Sequence, residues 1–334
     1  MMRKKFFIFS FFLVTILFFA VFFWQGIYLP KDKNSQEYLT FTIRRGEGVK
    51  TIAQNLEKEK LIKWSWFFVI YNFLTCNTPR LQAGTYLLSP SMNIPEIVEK
   101  FIKGEVIKEK ITILEGWSIK DIAEYLEEKG ILKKEDFEKS IKKDFSNEFE
   151  FLKEKPKDAS LEGYLFPDTY EVKLGESAEE IIRKMLKNFD RKITPDLREE
   201  IKKQNKTIFE ILILASLLEK EVKTKEDKEL VAGILWKRLE NKMPLQVDAT
   251  ITYITGKKTT KISIEETQID HPYNTYKYLG LPPGPICNPG LESILAALYP
   301  KKSDYWYYLS APDGKTIFSK TLQEHNIAKA KYLE

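Results

Sequence analysis

Apolar residues are distributed along this chain in three ways. The first is continuous: no charged residue occurs from Phe6 to Pro30, and the run is dense in Phe, Leu, Ile and Val. About 20 apolar residues cross the hydrocarbon core of a bilayer as a helix, so this stretch predicts one membrane span. It exceeds the roughly 7–15 residues of a signal-peptide apolar region, and no small-x-small site follows it. The cationic flank Met1-Met-Arg-Lys-Lys5 favours a retained single-pass anchor, with the N-terminus cytoplasmic and the rest of the chain outside. A cleaved signal peptide is the alternative.

The second pattern is periodic. After a polar linker at 31–40, Phe41 to Ile62 aligns without gaps on Ile111 to Leu132. Each copy predicts a short strand, a Gly turn and an amphipathic helix. The apolar positions are Val49, Ile52, Ala53 and Leu56 in one, and Ile119, Ile122, Ala123 and Leu126 in the other. The unit resembles the LysM-like βα element of glycan-binding modules; a plain α+β packing unit explains the pattern about as well. Between the copies, Trp64 to Leu74 predicts an apolar core helix, too short to span a bilayer. Gly84 to Gly104 predicts strand, turn and helix, with Asn93 as cap before Pro95. Residues 133–157 are rich in Lys, Glu and Asp, interrupted by Phe137, Phe145, Phe149 and Phe151. They predict an exposed helix and connector, with a domain boundary near Lys155-Pro-Lys-Asp158. The expected layout is an anchor at 1–30, a linker, a βα region at 41–157 and a mixed α+β domain at 158–334.

The third pattern is a helix apolar all round. Ile208 to Val222 contains ten aliphatic, aromatic or small positions before it delivers Glu219 and Glu221. Two residues apart on a helix, these acids point about 200° from each other, so at most one lines a given cleft. Glu221 continues the stripe of Leu214, Leu217 and Leu218. Desolvation there raises a carboxyl pKa, as a general acid requires. The alternative has both acids exposed and paired with Lys223 and Lys225 at i+4. Thr207 with Glu210, and Ser177 with Glu180, read as helix caps.

Composition narrows the chemistry. The 53 basic and 48 acidic side chains are interleaved and leave a net charge of +5 over 334 residues, without a nucleic-acid footprint. Two histidines and two distant cysteines, Cys76 and Cys287, give no zinc-ligand spacing, so neither metal nor cofactor is expected. In Met243 to Tyr253, an extended reading puts Gln246, Asp248 and Thr250 on one side, lining a cleft or an exposed strand face. The Pro/Gly-rich segment from His271 to Gly290 carries Tyr273, Asn274, Tyr276 and Asn288. Aromatic faces with amides suit sugars, although a purely structural loop is the alternative. His271, before a proline, reads as a turn residue.

Six stretches, in order, then identify a resemblance. They are Leu161–Tyr170, Ala215–Val222, Val231–Leu239, Leu245–Tyr253, Tyr273–Tyr276 and Gly280–Gly290. They look like the endolytic murein transglycosylase (YceG-like) family. The resemblance implies an enzyme of the bacterial inner membrane that cuts peptidoglycan strands internally, between N-acetylmuramic acid and N-acetylglucosamine, leaving 1,6-anhydro ends. Peptidoglycan synthases are implied neighbours. The family motif places the catalytic acid on Glu221, with Glu219 and then Glu162 as fallbacks. Val222, Val247 and Ala249 depart from the usual Thr, Ser/Thr and Pro. Gln246, Asp248, Tyr273, Asn274, Tyr276 and Asn288 are the candidate sugar-binding residues. The competing readings are a muramidase-type hydrolase, with Glu162 or Asp168 as second carboxylate, and a non-catalytic wall-binding scaffold.

Overall fold

The computed structural model describes residues 2–257 and 262–333, and the side chains from residue 10 onward. The cationic flank therefore lies outside the described side chains. The architecture is mixed α+β, and the chain forms two compact units: 1–110 with 171–176, and 111–170 with 177–334.

The first unit opens with α1 (Met2–Tyr28), followed by β1 (Leu39–Ile43), α2 (Val49–Lys58), α3 (Ser65–Leu74), β2 (Gly84–Leu88), α4 (Ile94–Lys103) and the start of β3 (Lys108–Thr112). Within α1, Ser10–Tyr28 is long and apolar enough to cross a membrane. Strands β1 and β2 pair antiparallel, with Phe41 opposite Tyr86. Their inward residues join Ile52, Leu56, Phe67, Phe68, Ile97 and Phe101 in one core. Asn93 caps α4 in a reciprocal box with Glu96, as its spacing predicts.

The second unit contains α5 (Ile119–Glu128), α6 (Lys134–Ser140), α7 (Ala178–Lys192), α8 (Pro195–Lys203), α9 (Ile208–Glu221), α10 (Lys225–Glu240), α11 (Asp248–Thr255), α12 (Leu291–Leu298) and α13 (Leu322–Tyr332). Its strands are β5 (Tyr307–Ser310) and β6 (Thr316–Ser319), an antiparallel pair; β4 (Thr169–Lys173) pairs with β3. The two βα copies fold alike: Gly46 and Gly116 both take positive φ, and Ile52, Ala53 and Leu56 are buried like Ile122, Ala123 and Leu126.

The stretch at 133–157 is less exposed than its charge suggests. Phe137, Phe145, Phe149 and Phe151 are all buried. Phe151 packs on Phe189 at 4.8 Å and on Tyr164 at 6.0 Å between ring centroids. The aromatics outweigh the charges because the lysines and glutamates can remain in water while the rings leave it. The change of composition near residue 157 therefore lies inside the second unit.

Helix α9 is the axis of that unit. Every residue from Ile208 to Leu218 except Glu210 is buried, against α10 and α12. A helix apolar on all sides must be enclosed. Thr207 and Glu210 form the expected reciprocal cap. At Gly233 of α10, a Cβ would lie 2.2 Å from the Lys301 carbonyl oxygen. Glycine there lets the segment leading to β5 cross the helix, where the Lys301 N–H bonds the Glu229 carbonyl at 2.9 Å.

Candidate active site

The end of α9 separates its two acids, as a two-residue offset requires. Glu219 turns to α12: it accepts the Gly290 N–H at 2.9 Å and the Ser293 hydroxyl at 2.7 Å, and pairs with buried Lys228 at 3.4 Å. Its side chain is only 9% exposed. Glu221 faces the other way. One oxygen accepts the Ala249 N–H at 3.0 Å in the first turn of α11, and the other accepts the Tyr308 hydroxyl at 3.2 Å. The i+4 lysine pairs do not form: Glu219 reaches Lys228, and Lys225 pairs with Glu229.

Strand β5 holds the Glu221 side chain and backbone at once. Tyr308 bonds the carboxyl, and two residues on, Ser310 donates to the Glu221 carbonyl at 2.9 Å. Alternation along a strand puts both side chains on one face. Buried Arg238 fixes this strand relative to the chain entering α11. Its guanidinium donates to the Trp306 carbonyl at 2.9 Å and to the Leu245 carbonyl at 2.8 Å.

Burial, and then the neighbouring Asp248 carboxylate, push the Glu221 carboxyl up to about 7; the Ala249 N–H and Tyr308 hydroxyl act in the opposite direction. The residue nevertheless keeps part of its surface open to solvent. Its carboxyl holds a proton well above the ordinary carboxylate range. Burial raises the Asp248 carboxyl too, against a hydrogen bond from the Tyr276 hydroxyl.

Segment 243–253 differs from its extended reading. Gln246 takes φ +53 and α11 starts at Asp248, so the alternation ends there. Gln246 is exposed, whereas Thr250 is buried and bonds the Val247 carbonyl at 2.7 Å. The three side chains share no face. The turn is stitched to the next loop instead: Gln246 N–H bonds the Thr275 carbonyl at 3.1 Å, and Val247 N–H the Thr275 hydroxyl at 2.9 Å.

The structure divides the remaining loop residues. Tyr276 sits beside the acid pair through Asp248. Tyr273 is half-buried and packs on Tyr253 at 5.0 Å. His271 is the expected turn residue, its Nδ1 accepting the Tyr273 N–H at 3.2 Å. Asn274 is fully buried and spends its amide on the Thr267 and Ile269 carbonyls and the Tyr276 N–H. Asn288 is also fully buried, bonded to the Gly163 and Leu165 N–H groups, the Trp117 carbonyl and Glu162. Both asparagines are interior fasteners of the loop.

Glu162 is pushed up to about 8 by burial, against bonds from the Ile119 N–H and the Asn288 amide. At 5% exposed, it is closed to a polymer. Asp168 meets Asn188 at 3.0 Å and Lys192 at 4.0 Å, both on α7. Burial raises its carboxyl, but those groups and the Thr169 N–H hold it below the usual range. Neither acid shares a hydrogen-bond partner with Glu221. Both cysteines are free.

The sequence pattern that defines the YceG-like family matches residues 41–331. The chain belongs to the YceG-like family. One relative, the endolytic murein transglycosylase of Bacillus subtilis (strain 168), is 36% identical over 316 residues, covering 91% of this chain and 87% of the relative. A second, from Streptococcus pneumoniae serotype 2, carries the same name and is 34% identical; the chain covers 60% of its length. The crystal structure of a YceG-like protein from Listeria monocytogenes superposes with a TM-score of 0.60 at 38% identity, over 88% of this chain and all of that one. The resemblance carried by the six motifs thus holds for the family. Tyr308 lies outside those motifs and was missed. The aromatic run Tyr305-Trp-Tyr-Tyr308 is the signal in the sequence that points to it.

Proposed function

We propose that this chain is a lytic transglycosylase that cuts peptidoglycan glycan strands internally, with Glu221 as its single acid–base group. The relatives' name supports the reaction class and substrate. The observation that carries the residue assignment is the Glu221 carboxyl, raised to about 7 and held by two donors, on a residue that keeps part of its surface open. Protonated Glu221 gives its proton to the glycosidic oxygen as the C1–O bond breaks. The sugar's own C6 hydroxyl oxygen then bonds C1 and returns its proton to the Glu221 carboxylate. The product is a 1,6-anhydro ring, no water is consumed, and the acid is regenerated. Ala249 N–H and Tyr308 steady the carboxylate between the two transfers. Gln246, Tyr273 and Tyr276 are the residues left with side chains available to a sugar.

In this reading α1 is a retained anchor in the bacterial cell membrane, with a cytoplasmic N-terminus. The catalytic unit faces the wall beside peptidoglycan synthases, and the LysM-like βα units contact glycan. The test is digestion of purified glycan strands by the full chain, read by mass spectrometry. Anhydro ends from the wild type and intact strands with Glu221→Gln are expected. Reducing ends, heavier by one water, would establish the muramidase reaction instead. Full turnover by Glu221→Gln would remove Glu221 from the chemistry.

A further inference from the structure

Helix α3 has two faces that contradict a purely interior role. Phe67, Phe68 and Asn72 are buried in the first unit's core. Trp66, Ile70, Phe73 and Leu74 recur at i, i+4, i+7 and i+8, one helical face. Three of them are exposed, Phe73 at 78% and Leu74 at 70%. Trp64, just before the helix, is exposed as well. A contiguous apolar stripe of this kind on a soluble surface calls for something to cover it.

The stripe is continuous with α1. Phe22 of α1 lies 6.3 Å from Trp64 and 6.1 Å from Trp66 between ring centroids, and Phe23 lies 5.5 Å from Trp66. One turn further along α1, Gly26 and Ile27 are buried in protein. A Cβ on Gly26 would fall 2.0 Å from the Phe67 ring, so the two helices touch there without a spacer. The charge-free run from Phe6 to Pro30 counts 25 residues. Its helical part ends at Tyr28, and at about 1.5 Å per residue is roughly 34 Å long, against a hydrocarbon core of about 30 Å. About three residues are surplus, and the last turn, where Gly26 and Ile27 are buried in protein, accounts for them. The outer edge of the hydrocarbon then falls near Phe22 to Gln25, level with the aromatic contacts to α3. Trp24 and Tyr28, both exposed, lie at that level and one turn beyond it, in the zone where amphipathic rings settle between lipid and water.

We propose that α3 lies in the outer leaflet of the membrane that α1 crosses, with Trp66, Ile70, Phe73 and Leu74 at the boundary between headgroups and acyl chains. The proposal rests on α1 being a retained span. A helix so placed sinks its apolar face about 5–10 Å below the headgroups. The first unit is then held at two points and cannot swivel about α1.

The test uses the full chain in lipid bicelles, with Cys76→Ser as background, since Cys287 is buried. Nitroxide labels go singly on Phe73→Cys, Val14→Cys and Gln54→Cys, all exposed positions. Collision with oxygen, which concentrates in lipid, is compared with collision with a water-soluble nickel chelate. Position 14 reports on the span, and position 54, on α2, reports on water. The expected result is an oxygen-to-nickel ratio several-fold higher at 73 than at 54, at a shallower depth than 14. A lipid ratio at 14 with a water ratio at 73 would overturn the proposal and leave the anchor standing. A water ratio at 14 would overturn both. Exclusion of both quenchers at 73, with dipolar broadening between labels, would assign the stripe to a second copy of the chain and refute the lipid assignment.

Discussion

Replacing Glu221 with glutamine separates stability from catalysis, and in opposite directions. In the folded chain the carboxyl is raised from an ordinary 4.5 to about 7, chiefly by burial. The folded state therefore binds this proton more tightly than the unfolded state does. Between pH 4.5 and 7 the native chain holds more protons, so stability falls as pH rises through that window. The difference spans about two and a half pH units, at 1.36 kcal/mol each roughly 3 kcal/mol. Glutamine has the shape of the protonated acid: its oxygen can accept from the Ala249 N–H while its amide N–H donates to the Tyr308 hydroxyl oxygen. At pH 4.5 the variant should match the wild type within about 1 kcal/mol. At pH 8 it should be more stable by up to about 3 kcal/mol, less whatever the wild type recovers by relaxing around the charge. For a unit of this size that is several degrees in melting temperature. The assay is thermal or urea unfolding of the full chain in detergent at both pH values, alongside cleavage of glycan strands. Loss of a positioned general acid costs about 10²–10⁴ in rate. A stability difference that does not change with pH would refute the account of why Glu221 carries a proton. A variant less stable at pH 8 than at pH 4.5, relative to wild type, would reverse its sign.

The remaining predictions test the neighbours. Asp248→Asn removes a charge that favours the protonated acid, so the alkaline limb of the pH–rate profile should move to lower pH; Tyr308→Phe removes a donor to the carboxylate and should move it higher. Shifts in the same direction would contradict the assigned roles. Glu219→Gln should keep the chemistry but lose stability, by about 3 kcal/mol at most, because Lys228 retains Glu292 at 3.3 Å; a thousandfold loss of turnover in a folded variant would move the acid assignment to Glu219. Asn288→Ala strands the Gly163 and Leu165 N–H groups in the interior, while the Trp117 carbonyl keeps the residue-288 N–H at 2.8 Å and Glu162 keeps the Ile119 N–H, and should cost about 2–5 kcal/mol in a melt; a cost below 1 kcal/mol would mean that water replaces the amide.

Local rules made much of this chain legible. Capping at Asn93, Ser177 and Thr207 is a contact between a side chain and a backbone three residues on, so spacing alone reveals it. The βα repeat was legible because its strand, Gly turn and helix each fit within a few residues. The opposed directions of Glu219 and Glu221 follow from helix geometry. Segment 243–253 was misread because Leu-Gln-Val-Asp-Ala-Thr-Ile-Thr alternates like a strand. Its helix begins where a positive φ at Gln246 turns the chain and the first-turn N–H of Ala249 meets a carboxylate 28 positions away. Asn274 and Asn288 looked like ligand groups because an amide in a rigid loop has the same composition whether it faces a sugar or the loop's own backbone.

By itself, the sequence determined which helix is enclosed, which of its acids diverge, where the long apolar helix runs and which family the motifs resemble. Each of these depends on contacts within a turn or two, or on composition. The tertiary structure alone decided that Glu219 serves α12 while Glu221 meets α11 and β5, that Tyr308 completes the site, and that α3 shows one face to the core and one outward. Those outcomes depend on segments up to 87 residues apart being brought together, and on burial, which sets a carboxyl's proton affinity only once the fold has removed the water around it.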